Sequence, residues 1–317
     1  YAYLAAGENG LKIYEVSNPA KPVLAAGLAL ECFANGIFID GNFAYIAGLL
    51  GAGEEESEGG LLEIVDIQDP AKPSITGSVE LTGQPVNVIV KDNIAYVATQ
   101  TTGIALVDVT NAASPTVLAT YDTPGLCYGV DLLGGFLVGA DGLDGIVTLD
   151  VRDTTYPKKL YGGVITGNVL NATVWDTYAA LSGGSDGLMV ADLALPYNPA
   201  PGTVIEPLPL RNQPGQTKAS VAFNSYLLTV ETIGNYGGVR LFDLQDAESP
   251  AELDGDPYLL GDPLKVSYSP DQGLAYVSSQ IAGLYMYSVT LTDEPGIDLD
   301  GCWLGWAGET GIALELD

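Results

Sequence analysis

LEIVDIQDPAKP, residues 62–73, has a near twin in LKIYEVSNPAKP, residues 11–22, which begins 51 positions earlier (62 minus 11). Duplication at this spacing marks a chain built from copies of one supersecondary unit. Working outward from the twin, each copy follows a turn that ends in glycine, and before that turn stands a short apolar stretch. The stretch reads AYLAAG from Ala2, AYIAG from Ala44, AYVAT from Ala95, FLVGA from Phe136, AALSG from Ala179, YLLTV from Tyr226 and AYVSS from Ala275, seven copies in all. Behind the turns come GLKIYEV from Gly10, GLLEIVDI from Gly60, GIALVDV from Gly103, GIVTLDV from Gly145, GLMVADL from Gly187, GVRLFDL from Gly238 and GLYMYSV from Gly283. Some of these alternate apolar and polar residues and others are apolar throughout, as strands buried on one or both faces should be. The glycine supplies the positive φ of a tight hairpin.

A third apolar segment precedes each pair: GIFID from Gly36, VNVIV from Val86, GVDLL from Gly129, NATVW from Asn171, ASVAF from Ala219 and LKVSY from Leu264. The seventh is GIALELD, residues 311–317, with no partner after it, while AYLAAG at the other end has no partner before it. Pairing the two ends regenerates the repeat. A fourth strand falls after the proline loops, at PVLAAGLAL, PSITGSVEL and PTVLATYDT. Seven copies of a unit of roughly 40 to 50 residues with four short antiparallel strands predict an all-β, seven-bladed β-propeller. The reading is a single domain over residues 1–317, its first blade completed by residues 311–317. That closure leaves no open sheet edge at the ends.

The second strand of the unit resembles the LVIVD repeat of a family of β-propeller proteins, most closely in LEIVD at residues 62–66 and ALVDV at residues 105–109. The NPAKP and DPAKP loops are similar to that family's, and PYNPAPGTVIEPLPL at residues 196–210 departs from it. The resemblance implies the fold, over essentially the whole chain, and surface or secreted proteins without assigned chemistry. It says little about activity, since one fold hosts many functions.

Composition narrows the function classes. Forty acids against eleven bases give a formal charge of −29, which repels phosphate backbones and anionic lipid, so nucleic acid and membrane surfaces are poor partners. No apolar run is long enough to span a bilayer, and no leader stands at Tyr1, which reads as the start of a mature or trimmed product. Cys32, Cys127 and Cys302 lack zinc spacing and read as small buried side chains, with a disulfide left open. The chain contains no histidine, which removes the common general base and the histidine-dependent triads.

Candidate sites follow from clustering. Glu54, Glu55, Glu56 and Glu58, in the turn GAGEEESEGG, are oxygen ligands that can hold Ca2+, although the run lacks the alternation of a dedicated calcium loop and reads first as a solvated acidic turn. Asp141, Asp144 and Asp186 carry the same ambiguity more weakly. The carboxylates that end the second strands, Glu15, Asp66, Asp108, Asp150, Asp192 and Asp243, recur too regularly for catalysis and are expected to accept backbone N–H groups in the following turn. Trp303 and Trp306 form the most unusual cluster in the loops that enter the inner strands, where aromatic contact with a glycan or a protein is expected. Asn171 heads an N-x-T sequon, but its place on an inner strand argues against glycosylation.

Few lysines and a sparsely charged, apolar-rich composition rank first a non-enzymatic, extracellular or cell-surface building block that self-assembles as a homo-oligomer or polymer into a tube, filament or layer, without cofactor. A glycan- or ligand-binding propeller using the variable loops ranks second. A carboxylate-dependent glycosidase or lyase ranks last, because nothing in the sequence selects two acids from forty.

Overall fold

A computed structural model describes residues 1–18, 21–51, 59–165, 167–205, 215–233, 236–279, 283–291, 295–303 and 313–316. These residues form seven four-stranded antiparallel sheets and no helix. Each sheet is one blade. Six blades are built from consecutive strands, and their inner strands are Cys32–Asp40, Asn87–Lys91, Gly129–Leu133, Asn171–Trp175, Gln216–Phe223 and Pro263–Ser269. Blade one is the exception. Its order is Ala313–Leu316, Ala2–Ala5, Leu11–Glu15, Val23–Leu28, so the end of the chain supplies the inner strand. The register sets Ala2 opposite Leu316 and Ala5 opposite Ala313, the closure expected from the sequence.

The seven hydrophobic clusters explain why the unit repeats. Tyr3 and Ala5 pack toward blade two with Ile37, Ile46 and Val65, while Ala2 and Leu4, one residue out of phase, pack toward blade seven with Tyr276, Leu284 and Met286. Successive residues of a strand point to opposite faces, so an all-apolar strand serves two neighbours at once. The remaining five clusters fill the other five blade-to-blade interfaces in the same way. Inner loops that read as irregular are partly strand: Cys32–Asp40 runs through ECFAN, with a register shift between Ala34 and Gly36.

Turn chemistry is repeated with the blades. The turn-ending glycines Gly10, Gly103, Gly145, Gly187 and Gly283 have φ between 69° and 85°, the left-handed region that side chains avoid. At Gly103 a Cβ would also run into the carbonyl oxygen of Tyr121. Between the third and outer strands every blade carries a register shift, at Ile13/Tyr14, Ile64/Val65, Leu106/Val107, Thr148/Leu149, Met189/Ala191, Leu241/Phe242 and Met286/Tyr287. A bulge at that place sharpens the twist of the outer strand, the one farthest from the axis.

Five of the six recurrent carboxylates do the structural work expected of them, and Glu15 accepts the Ser17 hydroxyl. Asp66, Asp108, Asp150, Asp192 and Asp243 each accept the backbone N–H two residues on, at 2.8 to 3.1 Å. Hydrogen bonds from the side chains of Thr110 and Arg152, and secondly from their backbone N–H groups, hold the carboxyls of Asp108 and Asp150 below the ordinary range, that of Asp150 at about 2. Cys32 and Cys127 are free, buried thiols, raised chiefly by burial. The backbone of Cys302 lies in the outer strand Gly296–Trp303 of blade seven.

Candidate active site in the central channel

Seven inner strands face the propeller axis. Those of neighbouring blades share no backbone ladder, and side chains bridge them instead. Asn87 Oδ1 accepts the Val130 N–H at 3.1 Å, joining blades three and four. Asp131 Oδ2 accepts the Val174 N–H at 2.7 Å, joining blades four and five, while Oδ1 accepts the Leu132 N–H at 2.8 Å. Thr173 Oγ1 donates to the Ser220 carbonyl at 3.0 Å, joining blades five and six. Pairing with the second strands puts Asn87, Gly129 and Asn171 at one level of the channel and Ile89, Asp131 and Thr173 two residues further along.

Between these strands lies a cavity of about 270 Å3, lined by residues of six blades, among them Asn87, Asp131, Asn171, Thr173, Lys265 and Ser267. Its wall holds an acid and a base together. Burial pushes the Asp131 carboxyl up to about 6, against the opposing pull of the N–H groups of Val174 and Leu132. Lys265 of blade seven reaches across to Asn171 of blade five, Nζ donating to Oδ1 at 3.4 Å. Asn171 in turn donates from Nδ2 to Thr173 Oγ1 at 3.1 Å. The arrangement offers a carboxylate that titrates near neutral pH, a cation, and amide and hydroxyl groups suited to a polyhydroxylated ligand. The sequon asparagine is thus 7% exposed and engaged inside the channel.

The sequence reading had singled out other residues. Glu54, Glu55, Glu56, Glu58 and Trp306 lie outside the described residues. Trp303 is no loop residue: its backbone closes the outer strand of blade seven, opposite Leu284. Asp141 and Asp186 tie turns to the loops that enter the next inner strands. Asp141 Oδ2 accepts the Gly125 N–H at 3.0 Å, and Asp186 Oδ2 that of Asn168 at 3.3 Å. Asp144 lines a cavity of about 740 Å3 on that face, with Asp122, Tyr128 and Leu143 and no lysine or arginine. Among the described residues no three His, Cys, Asp or Glu side chains converge to hold a metal ion. No described helix is long and apolar enough to cross a membrane.

Sequence reasoning missed Asp131 and Lys265. GVDLL and LKVSY mark inner strands, yet nothing local says that the charged residue of each meets the other's cavity; the seven-blade count and the strand pairing together were the signal available.

Comparison with known proteins agrees with the architecture. The LVIVD repeat model matches residues 1–27, 33–80 and 82–123, which are blades one, two and three, so the chain carries that family's repeat. No curated protein matches the sequence. Among solved structures, a protein from Lactobacillus plantarum superposes with a TM-score of 0.81 at 14% identity, over 99% of this chain and 98% of the other. The periplasmic gluconolactonase of Pseudomonas aeruginosa gives 0.79 at 12%, over 99% of each chain. A candidate 6-phosphogluconolactonase from Bacteroides uniformis gives 0.80 at 11%, over 99% and 98%. At such identities the likeness establishes the fold. Two of the neighbours are named as a gluconolactonase and a candidate 6-phosphogluconolactonase, which counts against the leading expectation from sequence, a non-enzymatic assembly subunit. The sparse charge behind that expectation has an internal cause: strands buried on both faces, in seven interfaces, take up the apolar residues.

Proposed function

We propose that this LVIVD-repeat propeller hydrolyses small, neutral, polyhydroxylated lactones in its central channel. The observation that carries the reading is Asp131 and Lys265 in the wall of one cavity, the first raised to about 6. Asp131, ionised at neutral pH, takes a proton from a water that adds to the lactone carbonyl carbon. The resulting oxyanion is stabilised by the Lys265 ammonium, which Asn171 orients. Collapse of the adduct breaks the ring C–O bond, Asp131 returns the proton to the departing alkoxide, and a hydroxy acid leaves. Water is the only co-reactant. General base and oxyanion stabilisation each contribute about a hundredfold or more in comparable sites.

Charge chooses between the two kinds of lactone named among the neighbours. A phosphorylated substrate calls for clustered arginines or lysines. Lys265 is the one cation among the cavity residues, it shares them with Asp131, and the chain carries −29 overall. A neutral lactone is the better fit. We assign the protein to a compartment outside the cytoplasm, with the periplasmic neighbour from Pseudomonas aeruginosa as support.

The test is hydrolysis of glucono-δ-lactone, and of its 6-phosphate, followed by base uptake and corrected for the buffer rate. Expected are preference for the neutral lactone, kcat/KM rising with pH through about 6, and losses of about a hundredfold or more in both Asp131→Asn and Lys265→Met. Acceleration that survives Asp131→Asn, or none at all across sugar lactones, rejects the reading.

A further inference from the structure

On the face opposite the entering loops, between blades five and six, a cleft of about 520 Å3 is lined by Trp175, Asp176, Tyr178, Asn224, Asp246 and Glu248, among other residues. Its floor is aromatic: the rings of Trp175 and Tyr178 stack with centroids 5.9 Å apart and planes 25° from parallel. Its rim is anionic, with no lysine or arginine among the lining residues. The neighbouring blade shows that an aromatic ring at this register takes a cation, there from residues whose blade-five counterparts, Asp192 and Ala194, lie outside the cleft's lining. In blade four Phe136 pairs in register with Asp150, and Arg152 from the following loop lies over the Phe136 ring, 5.3 Å from its centroid, in an ion pair with Asp150. In blade five the same positions are Tyr178, paired with Asp192, and Ala194. The aromatic ring and the carboxylate are repeated and the guanidinium is not. Arg152 is seated where Gly135 leaves room, since a Cβ there would stand 2.6 Å from Arg152 Cγ; blade five has Thr177 instead.

We propose that the cleft between blades five and six binds a small organic cation, its guanidinium or ammonium group held between the Trp175–Tyr178 platform and the carboxylates of Asp176 and Asp246. Aromatic faces attract cations through the ring quadrupole, and desolvation on one side strengthens the attraction. The surrounding field has the required sign. Tyr178 is raised above the ordinary phenol range, first by loss of water and then by the charges of Asp192, Glu248, Asp176 and Asp246. This site is independent of the channel chemistry.

The probe is agmatine, titrated into the full chain at low salt with tryptophan fluorescence and calorimetry as readouts, and 1,4-butanediol as the uncharged comparator. Expected is saturable binding of agmatine, no binding of butanediol, and at least about a tenfold weakening in Asp176→Asn/Asp246→Asn and on raising salt to about 0.5 M. Both asparagines keep the side-chain acceptor, so the variant folds. A second variant, Thr177→Gly/Ala194→Arg, rebuilds the blade-four arrangement and places an internal cation on Tyr178; it too should weaken agmatine about tenfold. Lactone hydrolysis is unchanged in both variants. Absence of saturable agmatine binding, equal binding of butanediol, or unchanged affinity in both variants overturns the proposal.

Discussion

Replacing Asp131 by asparagine should make the fold relatively more stable as pH rises, while removing the base that the proposed reaction needs. Raising the carboxyl from 3.8 to about 6 corresponds to about 3 kcal/mol of stability that is present below the unfolded value and lost as pH rises through the folded one. The sign follows from proton counting: between those values the folded chain holds a proton that the unfolded chain has released. At pH 5 about 1.6 kcal/mol has already been lost, and at pH 8 the full amount, so the difference between wild type and Asp131→Asn should shift by about 1.4 kcal/mol in favour of the variant. Asparagine keeps one acceptor where the carboxylate used two, for Leu132 and Val174, at a cost of about 1 to 2 kcal/mol that is the same at every pH. The informative quantity is therefore the slope. Urea denaturation of both proteins at several values from pH 5 to 8, all above the pI of 4.1 where the chain stays charged, measures it. A difference that is flat with pH, or that moves against the variant as pH rises, refutes the burial argument for Asp131.

Other perturbations test the scaffold. Glu63 is fully buried and accepts the N–H groups of Glu31 and Cys32, so Glu63→Ala orphans both and should lower unfolding free energy by about 2 to 4 kcal/mol in urea. Gly103→Ala forces a side chain into φ of 81° and against the Tyr121 carbonyl; a loss of about 2 kcal/mol or more is expected from thermal melts, and a neutral result contradicts the turn geometry. Deleting residues 313–317 strips blade one of its inner strand, four paired residues, and should cost more than about 4 kcal/mol and broaden the transition, read by calorimetry.

The blade count was legible because one pattern of short strands, a turn-ending glycine and a carboxylate recurs with little drift, and each recurrence has a local physical cause. Gly145 needs its positive φ and Asp192 its backbone N–H whatever the rest of the molecule does. The channel site has no such local cause. Asn171 and Lys265 are 94 residues apart and meet only because the ring brings blades five and seven to one axis. Buried charge was hidden for a related reason. Glu63, Ala105, Val147, Met189 and Arg240 hold equivalent places in their third strands, opposite Ile46, Val97, Gly139, Leu181 and Thr229. The pattern alone gives that place to a core side chain, yet Glu63 caps a neighbouring loop and Arg240 bridges Glu231 and Glu252 at 3.0 and 2.6 Å. The composition argument failed at the level of function because it placed outside the molecule an apolar excess that the blade interfaces absorb.

Blade one also sets a timetable. Ala2 leaves the ribosome 311 residues before Ala313 (313 minus 2), about 15 to 60 s at ordinary elongation rates. Throughout that interval Tyr3 and its neighbours offer a naked ladder to whatever is nearby, so blades two to seven can form as they emerge while the earliest segment waits for the latest. Nascent chains of this protein are therefore most vulnerable at blade one, and a stall shortly before residues 313–316 is more damaging than one midway.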